Sequence, residues 1–460
     1  MIFLDRTVCE LFAGVGGFRC GLNHIISPDD YGKAEDWNTV WFNQWEPAEK
    51  ATQYAHGCYI NRFGVALDLN GKDTTNISIE DVDKASIPDF NLLVGGFPCQ
   101  DYSVASSLST SKGIEGKKGV LWWSIRDVIE AKQPPFVLLE NVDRLIKSPA
   151  SQRGRDFGII LTCLRDQGYS VEWRIINAAE YGFQQRRRRI FIFAYKSNTE
   201  FYNHMDALFD GIDGIEAATG IINRDGYFAD IFPIKHADCK KIHTVELPGD
   251  IGSISDSFKF GFENAGVMHD GVIYTVKTMP DYHGDYITLG DIMENGNVDE
   301  KFFIPEDVLY YKDPDDNHCN EMDGRLPAEK RHTWQYLKGS KRFIRTSANG
   351  HEYVYSEGAI PLIDASNKPA RTMLTSEGSF NRSTHIVIDK ETKRIRLLTA
   401  AETERIQGFP TDHTKYCKKS DGKIVEMPLN KRRFMMGNAL VVNLIEIMGD
   451  KLCRIFAEEL

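Results

Sequence analysis

A thiol, a carboxylate and a run of guanidinium groups stand beside apolar runs in this sequence. Cys99 closes the stretch GGFPC just after the apolar run LLV, and Glu140 follows the apolar run FVLL. The run QQRRRR (184–189) directly precedes IFIFAY. Short apolar runs of this kind are typical of buried strands, and open α/β sheets bind ligands beyond the carboxyl ends of their strands. The sequence therefore predicts that Cys99 and Glu140 meet at one edge of a sheet.

Cys99 has two interpretations. A thiolate is a strong nucleophile, but cysteine is also among the most buried residue types, and most single cysteines are structural. The stretch alone favours neither interpretation. A partly buried Glu140 at the same sheet edge favours the nucleophile. The four arginines that end at Arg189 are typical of a solvated or nucleic-acid-facing patch, and at the mouth of a sheet they would offer donors to a carbonyl or a phosphate.

The elements that must position these groups form an α/β pattern over the first 196 residues. Strand-like and helix-like segments alternate there, which predicts a mostly parallel sheet with helices on both faces. Residues 198–390 are rich in Gly, Asp, Asn, His and Tyr, with short strand-like pieces such as 272–276. The end of the chain is helical again, with one apolar stripe. We expect a catalytic domain at 1–197, a smaller irregular β-rich domain at 198–395, and a return segment with a C-terminal helix at 396–460.

Composition excludes several classes of protein. The chain has 460 residues and a net charge of −11, which argues against non-specific coating of nucleic acid but allows a local basic groove. We find no stretch of 18 apolar residues and no signal peptide. The nine cysteines include no CxxC pair, so we expect reduced thiols in a cytoplasmic protein, without a metal site.

Two further motifs suggest a nucleotide-like ligand. LFAGVGG (11–17) is a glycine-rich turn between a strand and a helix, where a ligand can approach the backbone. It lacks the GxGxxG spacing of dinucleotide-binding proteins, and a tight turn without a ligand remains an alternative. NQWEP (43–47) follows the second predicted strand, where a polar group often holds a ribose, but an exposed loop is nearly as plausible an interpretation.

In combination, these motifs resemble the DNA (cytosine-5) methyltransferases, which use S-adenosylmethionine. FAGVGG (12–17) is similar to the family's cofactor loop, GFPCQDYS (96–103) to its catalytic loop, ENV (140–142) to its glutamate motif and QQRRRR to its arginine motif. RLLTAAETERIQGFP (396–410) and GNALVV (437–442) resemble its two C-terminal motifs. Each motif alone is weak evidence, but six in the family's own order are strong evidence.

The resemblance implies a reaction and roles for particular residues. Cys99 would add to C6 of a cytosine, which makes C5 nucleophilic enough to accept a methyl group. Glu140 would act as the acid near N3, and Arg189, together with the less certain Arg187, would hold O2. The cytosine must leave the duplex, at a cost of roughly a few kcal/mol of unstacking. S-adenosylhomocysteine would be the product of the cofactor.

The resemblance also implies residues for the cofactor and for DNA. Where the family usually has acids in the cofactor pocket, this sequence has amides at Gln44 and Asn76, and Asp68 or Asp73 are alternatives there. The expected cofactor residues are Phe12, Ala13, Gly14, Gly16, Gly17, Gln44, Trp45, Glu46, Asn76, Ile77, Pro98, Asn438 and Ala439. The expected DNA-contacting residues are Gln100, Ser103, Gln185 and Thr372. Residues 100–119 resemble the loop that closes over the flipped base. KPARTMLTSEG (368–378) resembles part of the family's second domain, where Thr372 would hold a phosphate next to the flipped base and SEGSFNR (376–382) would read bases, although a structural hairpin is an equal alternative there.

The resulting hypothesis is a Rossmann-like, S-adenosylmethionine-dependent enzyme that methylates cytosine in duplex DNA. We expect a monomer whose partners are double-stranded DNA and, in a restriction-modification or other defence system, a cognate endonuclease. A transfer-RNA cytosine methyltransferase is the enzymatic alternative, but RNA-acting relatives carry a shorter insert than residues 196–394. A catalytically silent DNA-binding module is the alternative of another class, although the thiol, the acid and the arginines are all present. A nicotinamide dehydrogenase is disfavoured because GxGxxG is absent.

Overall fold

The structure, a computed structural model, describes residues 4–47, 52–97, 121–296, 298–310, 332–347 and 349–459. In these ranges the strands are β1 (Thr7–Leu11), β2 (Asn38–Asn43), β3 (Leu92–Gly96), β4 (Phe136–Val142), β5 (Tyr169–Asn177), β6 (Arg188–Lys196), β7 (His243–Glu246), β8 (Ala265–His269), β9 (Val272–Val276), β10 (Lys341–Thr346), β11 (Glu352–Glu357), β12 (Ile386–Ile388), β13 (Ile395–Leu397), β14 (Tyr416–Lys418) and β15 (Ile424–Glu426).

The α-helices of the same ranges lie before, between and after these strands. They are α1 (Gly17–Leu22), α2 (Tyr54–Phe63), α3 (Leu121–Lys132), α4 (Arg155–Asp166), α5 (Glu200–Ala207), α6 (Gly214–Gly220), α7 (Ile251–Ser257), α8 (Leu289–Ile292), α9 (Glu306–Leu309), α10 (Trp334–Lys338), α11 (Ala400–Ile406), α12 (Leu429–Asn438) and α13 (Val442–Glu458). Within the described ranges, no helix combines the length and the apolar character that crossing a membrane requires.

One nine-stranded sheet with the order β2-β1-β3-β4-β6-β5-β8-β9-β7 forms the centre of the molecule. Strands β2, β1, β3 and β4 are parallel neighbours, and each later pair is antiparallel. Six strands, β1 to β5 and β9, therefore point in the same direction. The predicted α/β class with a mostly parallel sheet is confirmed.

The strands are buried on both faces, as expected for a sheet covered by helices on each side. Along β1, Val8 belongs to the apolar core on one face, whereas Cys9 and Leu11 belong to the core on the other. On the first face α13 packs tightly against α1, because a Cβ added at Gly21 would lie 2.5 Å from Cβ of Ile445. The C-terminal helix thus lies against the first helix of the chain.

The central sheet continues beyond the boundary expected near residue 197. Strands β7, β8 and β9, at residues 243–276, extend it past β5 through the pairing of β8 with β5. The hairpin β10–β11 and the pairs β12–β13 and β14–β15 form separate two-stranded sheets. The division into a catalytic and a recognition domain stays a prediction, but residues 243–276 share their sheet with the N-terminal strands.

A buried ion-pair network fixes the segment that leads into α11. The Arg396 guanidinium contacts Glu402 at 2.8 Å and Asp389 at 2.9 Å, and all three side chains are almost completely buried. The Glu402 carboxylate also accepts a hydrogen bond from the Thr399 backbone N–H at the start of the helix. Arg394, two residues earlier, forms an exposed pair with Glu300.

We expect Arg396→Met to lower the free energy of unfolding by about 3–5 kcal/mol, because it leaves two buried carboxylates without their cation. Arg394→Met is the matched control, and its loss should stay below about 1 kcal/mol, since exposed pairs contribute little. Urea denaturation of both variants measures the difference. Equal losses for the two variants would contradict the structural role given to the buried pair.

Candidate functional site

A cavity of about 610 Å³ opens where the parallel strands end. Residues at or just beyond the carboxyl ends of β1, β2, β3 and β4 line it, among them Phe12, Gln44, Phe97 and Glu140. Parallel strands present their carboxyl ends at one edge of a sheet, and this edge is the usual ligand site of open α/β folds. The volume lies within the roughly 300–1,000 Å³ range of small-molecule sites.

The glycine-rich loop after β1 forms one wall. Gly14 and Gly16 have φ angles of +57° and +88°, a backbone conformation that side chains with a Cβ disfavour. A Cβ at Gly16 would also lie 2.7 Å from the Phe63 ring. Gly16 does not line the cavity, so its contribution is to let the loop turn closely over α2.

Gln44 holds this loop in place. Its side-chain oxygen accepts a hydrogen bond of 2.8 Å from the Gly14 N–H, and the Gln44 backbone N–H donates to the Thr75 carbonyl at 2.9 Å. The amide that stands where an acid is usual is therefore engaged by the protein's backbone. Asp68 is not among the lining residues. Its carboxylate accepts hydrogen bonds from the backbone N–H groups of Asn70 and Lys72.

His413 supports the same loop from the interior. It is fully buried, its Nε2 lies 2.7 Å from the Val15 carbonyl, and its Nδ1 is hydrogen-bonded to the Tyr31 hydroxyl. Burial lowers the pKa of His413 to about 3. The ring is therefore neutral at physiological pH, so Nε2–H donates to Val15 and Nδ1 accepts from Tyr31.

Glu10 places a buried carboxyl group on the cavity lining. Its Oε2 accepts a hydrogen bond of 3.0 Å from the Tyr59 hydroxyl, whereas its buried Oε1 has no hydrogen-bond partner among the described residues. Burial raises the pKa of Glu10 to about 7, although the Tyr59 hydrogen bond works in the opposite direction. An oxygen of this kind is suited to a cationic or hydrogen-bond-donating ligand group.

Glu140 and Arg189 form an ion pair in the cavity. Arg189 Nε lies 2.7 Å from Glu140 Oε1, and both side chains are largely buried. The pairing of β4 with β6 sets Val142 opposite Arg189, which brings the arginine beside the end of β4. The arrangement combines a largely buried carboxylate with a fixed cation.

The strand that leads to Cys99 is tied to Glu140 by the sheet. Gly96 pairs with Glu140 in the parallel register of β3 and β4, and a Cβ at Gly96 would lie 3.1 Å from Glu140 Oε2. The Asn141 side-chain N–H donates to the Phe97 carbonyl at 2.9 Å. The described chain therefore brings Gly96, three positions before Cys99, next to the carboxylate.

The arginine run alternates between inward and outward side chains. Arg186 and Arg188 are exposed, whereas Arg187 and Arg189 point inward and line the cavity. Arg187 donates to the carbonyls of Met373 and Gly437, each at 3.0 Å. Burial, and secondarily the Arg189 charge, lower the pKa of Arg187 to about 9.

Most of the residues that were predicted to contact the cofactor or to act in catalysis, and that the structure describes, line the cavity. Those that line it are Phe12, Ala13, Gly14, Gly17, Gln44, Trp45, Glu46, Asn438, Ala439, Glu140, Arg187 and Arg189. Asn76 and Ile77 do not line it, and the next residues, 78–80, do. Pro98, Cys99, Gln100 and Ser103, with the loop expected at 100–119, lie outside the described residues.

The two described residues expected to contact DNA are bound within the protein. Gln185 is fully buried, and its amide accepts from the Met373 N–H and donates to the Gln407 side chain. Gln185 thus joins two segments of the protein, and its contact with DNA stays a prediction. The Thr372 hydroxyl donates to the Arg186 carbonyl, and its phosphate contact stays a prediction.

Comparison with known proteins assigns the chain to a family. A family model described as C-5 cytosine-specific DNA methylase matches residues 6–454. The chain belongs to this DNA methylase family. The predicted enzyme class, a DNA (cytosine-5) methyltransferase, is confirmed.

Individual DNA methylases extend the comparison. The chain is 43% identical over 450 residues to the Type II methyltransferase M.Sau3AI of Staphylococcus aureus, covering 97% of this chain and 95% of that protein. It is 33% identical over 195 residues to M.NgoBI of Neisseria gonorrhoeae, covering 42% of this chain and 51% of that one. Among solved structures, the Dnmt2 methyltransferase of S. pombe matches with a TM-score of 0.52 at 14% identity over 99% of both chains, which shows likeness of fold alone.

Several residues that line the cavity of this DNA methylase were not predicted from its sequence. Glu10 is the most informative of them, because an acid inside the apolar run of a predicted strand is a signal of a buried functional or paired charge. Three of the others lie inside motifs quoted above: Asn43 in NQWEP, Phe409 in the 396–410 motif and Leu440 in GNALVV. Ser78, Ile79 and Glu80 directly follow the predicted Ile77, and only Phe434 of this set lies outside the predicted motifs and the residues next to them.

We expect Glu10→Gln to become progressively more stable relative to the unaltered protein as pH rises from 5 to 8. The folded-state pKa of Glu10, about 7, lies above its ordinary value of 4.5, so ionising it at higher pH costs folding free energy that glutamine does not incur. The difference in free energy of unfolding should grow by about 2–3 kcal/mol over this range. Urea denaturation at pH 5, 6.5 and 8 measures it, and a difference that does not change with pH would contradict the raised pKa.

Proposed function

We propose that the protein transfers a methyl group from S-adenosylmethionine to C5 of a flipped-out cytosine in duplex DNA, through a covalent bond between Cys99 and C6. The observation that carries the proposal is that the Glu140–Arg189 ion pair shares one cavity with the glycine-rich loop. Such a cavity can hold a methyl donor and a polar base side by side. Membership of the DNA methylase family supports the same substrate class.

The cavity has the features that S-adenosylmethionine requires. Gly14 and Gly17 keep one wall free of side chains, and Trp45 offers an aromatic surface beside it. The unpartnered oxygen of Glu10 suits a positively charged group, and the cofactor carries both an ammonium and a sulfonium. When bound, the cofactor supplies an electrophilic methyl group.

Cys99 supplies the electrons for the first step. The Cys99 thiolate forms a bond to C6, and the electron pair of the C5–C6 double bond moves toward C5 and N3 of the ring. The C5 carbon of the resulting enamine would take the methyl group, and the electron pair of the broken sulfur–methyl bond would stay on the cofactor sulfur, which leaves S-adenosylhomocysteine. A base would then remove the C5 proton, whose electron pair restores the C5–C6 double bond, while the S–C6 electron pair leaves with the Cys99 thiolate and N3 returns its proton to Glu140.

Glu140 and Arg189 control the charge that develops on the ring. Glu140 delivers or shares a proton at N3 as Cys99 adds to C6. The Arg189 guanidinium, fixed by its 2.7 Å contact with Glu140, faces the cavity and is placed to hold O2 of the base. Arg187 has the less direct role, because its two terminal nitrogens each donate to a backbone carbonyl.

The names of two relatives support a role in a restriction-modification system. M.Sau3AI and M.NgoBI are both described as Type II methyltransferases. We infer that this chain protects specific duplex sequences against a cognate restriction endonuclease and acts as a cytoplasmic monomer. Bisulfite sequencing of DNA from a host that expresses the protein tests this inference, because it reports the modified base and its sequence context together.

Replacing the nucleophile tests the covalent step. We expect Cys99→Ser to abolish methyl transfer and covalent trapping on duplex DNA that carries 5-fluorocytosine, while S-adenosylmethionine binding by calorimetry is retained. Cys239→Ser is the matched control, because Cys239 is an exposed free thiol whose loss should leave trapping intact. Trapping that persists in Cys99→Ser would place the nucleophile elsewhere.

Replacing the acid tests the second role. We expect Glu140→Gln to slow the single-turnover methylation rate by about 10²-fold or more, since general acid catalysis contributes roughly that much. Asp143→Asn is the control, because Asp143 pairs with exposed Arg188 at 3.4 Å, outside the cavity lining. If Glu140→Gln lowers the melting temperature but the folded variant methylates at the usual rate, Glu140 has a structural role and not a catalytic one.

A further inference from the structure

The hairpin β10–β11 forms a ribbon that is separate from the central sheet. Its two strands pair in register over six residues each, from Lys341 opposite Glu357 to Thr346 opposite Glu352. At about 3.4 Å per residue the ribbon is roughly 20 Å long. The major groove of DNA, about 12 Å wide, admits a two-stranded ribbon of this kind.

The two faces of the ribbon differ. Directly paired residues share a face, so one face carries Phe343 and Tyr355, whose ring centroids lie 5.1 Å apart. The opposite face is exposed at every position, and we call it the outer face. The outer face consists of Arg342, Ile344, Thr346, Glu352, Val354 and Ser356.

The outer face carries unengaged groups of the kinds that recognise bases. Arg342 has no ion-pair or hydrogen-bond partner among the described residues, although the protein as a whole is acidic. Arginine can donate two hydrogen bonds to guanine, glutamate such as Glu352 can accept from cytosine N4, and apolar groups can contact the thymine methyl. Ile344 and Val354 are 45% and 49% exposed. A cation alone would suit phosphates, whereas this combination suits base edges.

Local hydrogen bonds join the described residues of the turn at the tip of the ribbon. The Ser347 N–H donates to the His351 carbonyl at 2.8 Å, and the Gly350 N–H donates to the Ser347 carbonyl at 2.9 Å. The Ser347 hydroxyl also accepts from the His351 N–H at 3.1 Å. A recognition element benefits from such pre-organisation, because less conformational entropy is lost on binding.

The base of the ribbon is connected to the catalytic cavity. Arg382 forms an ion pair with Glu357 and donates to the Gly358 carbonyl at 2.6 Å. Arg382 belongs to the loop that begins at Met373, whose carbonyl accepts from Arg187 on the cavity lining. The chain from Met373 to Arg382 thus connects the base of the ribbon with the cavity lining.

We propose that the outer face of the β10–β11 ribbon enters the major groove and reads the target sequence, with Arg342 as a guanine-contacting residue. This inference rests on the proposed function for its substrate, duplex DNA.

The test selects bound molecules from a library of duplexes with randomised positions and sequences them, in parallel with bisulfite sequencing of the methylated molecules. The variants are Arg342→Ala and Arg342→Lys, because lysine keeps the charge but loses the two-pronged hydrogen bond. Arg224→Ala is the control, since Arg224 is also exposed and pairs only with its neighbour Asp225. Melting temperature and S-adenosylmethionine binding verify that each variant is folded.

We expect both Arg342 variants to bind the preferred sequence about 5- to 150-fold more weakly and to lose preference at one base pair, while Arg224→Ala is unchanged. Equal weakening on all sequences by Arg342→Ala, with Arg342→Lys normal, would make Arg342 a phosphate contact and overturn the inference. Unchanged DNA binding and unchanged sequence preference in the Arg342 variants would also overturn it. So would a protein that self-associates through Ile344 and Val354, if replacing both residues by Asp abolishes the self-association and leaves DNA binding unaffected.

The two readouts separate this inference from the proposed function. An unaltered protein that selects a DNA sequence but methylates none would contradict the proposed activity. A preference that still changes with Arg342 in that case would support the ribbon as the reading element.

Discussion

The parallel register between β3 and β4 is the constraint on which the site depends. It places Gly96 beside Glu140, and the absence of a Cβ at Gly96 leaves room for the carboxylate 3.1 Å from the Cβ position. Asn141 then holds the Phe97 carbonyl. A shift of one residue in either strand would turn these side chains to the opposite face of the sheet. Both the acid and the approach to the catalytic loop follow from this one pairing.

The antiparallel strand β6 adds the cations that the carboxylate needs. The period-two alternation of a strand sends Arg187 and Arg189 inward and leaves Arg186 and Arg188 exposed. Arg189 pairs with Glu140, whereas Arg187 bridges the Met373 and Gly437 carbonyls. One arginine run therefore supplies a cation to the cavity and also joins two distant segments of the chain around it.

The cofactor side of the cavity distributes charge in an unusual way. Gln44, where an acid is usual, uses its amide oxygen to fix the Gly14 N–H, so the neutral residue serves the loop geometry. Glu10 adds a buried carboxyl group to the lining, and its buried Oε1 has no hydrogen-bond partner among the described residues. Since burial raises the pKa of Glu10 to about 7, a bound cation would favour its ionised form.

Three features could be predicted from the amino-acid sequence: the α/β class, the family, and the strand ends at which Glu140 and the glycine-rich loop lie. They are predictable because apolar runs, glycine-rich turns and the order of motifs can be read directly along the chain. The sequence does not reveal that residues 243–276 join the central sheet, that Gln185 is buried, or that residues 78–80 replace 76–77 at the cavity. Each of these depends on pairing between segments far apart in the chain, and that pairing decides which face of a strand or loop meets the site. Only the tertiary structure contains this information, since the free energy that selects one pairing comes from burial shared by the whole sheet.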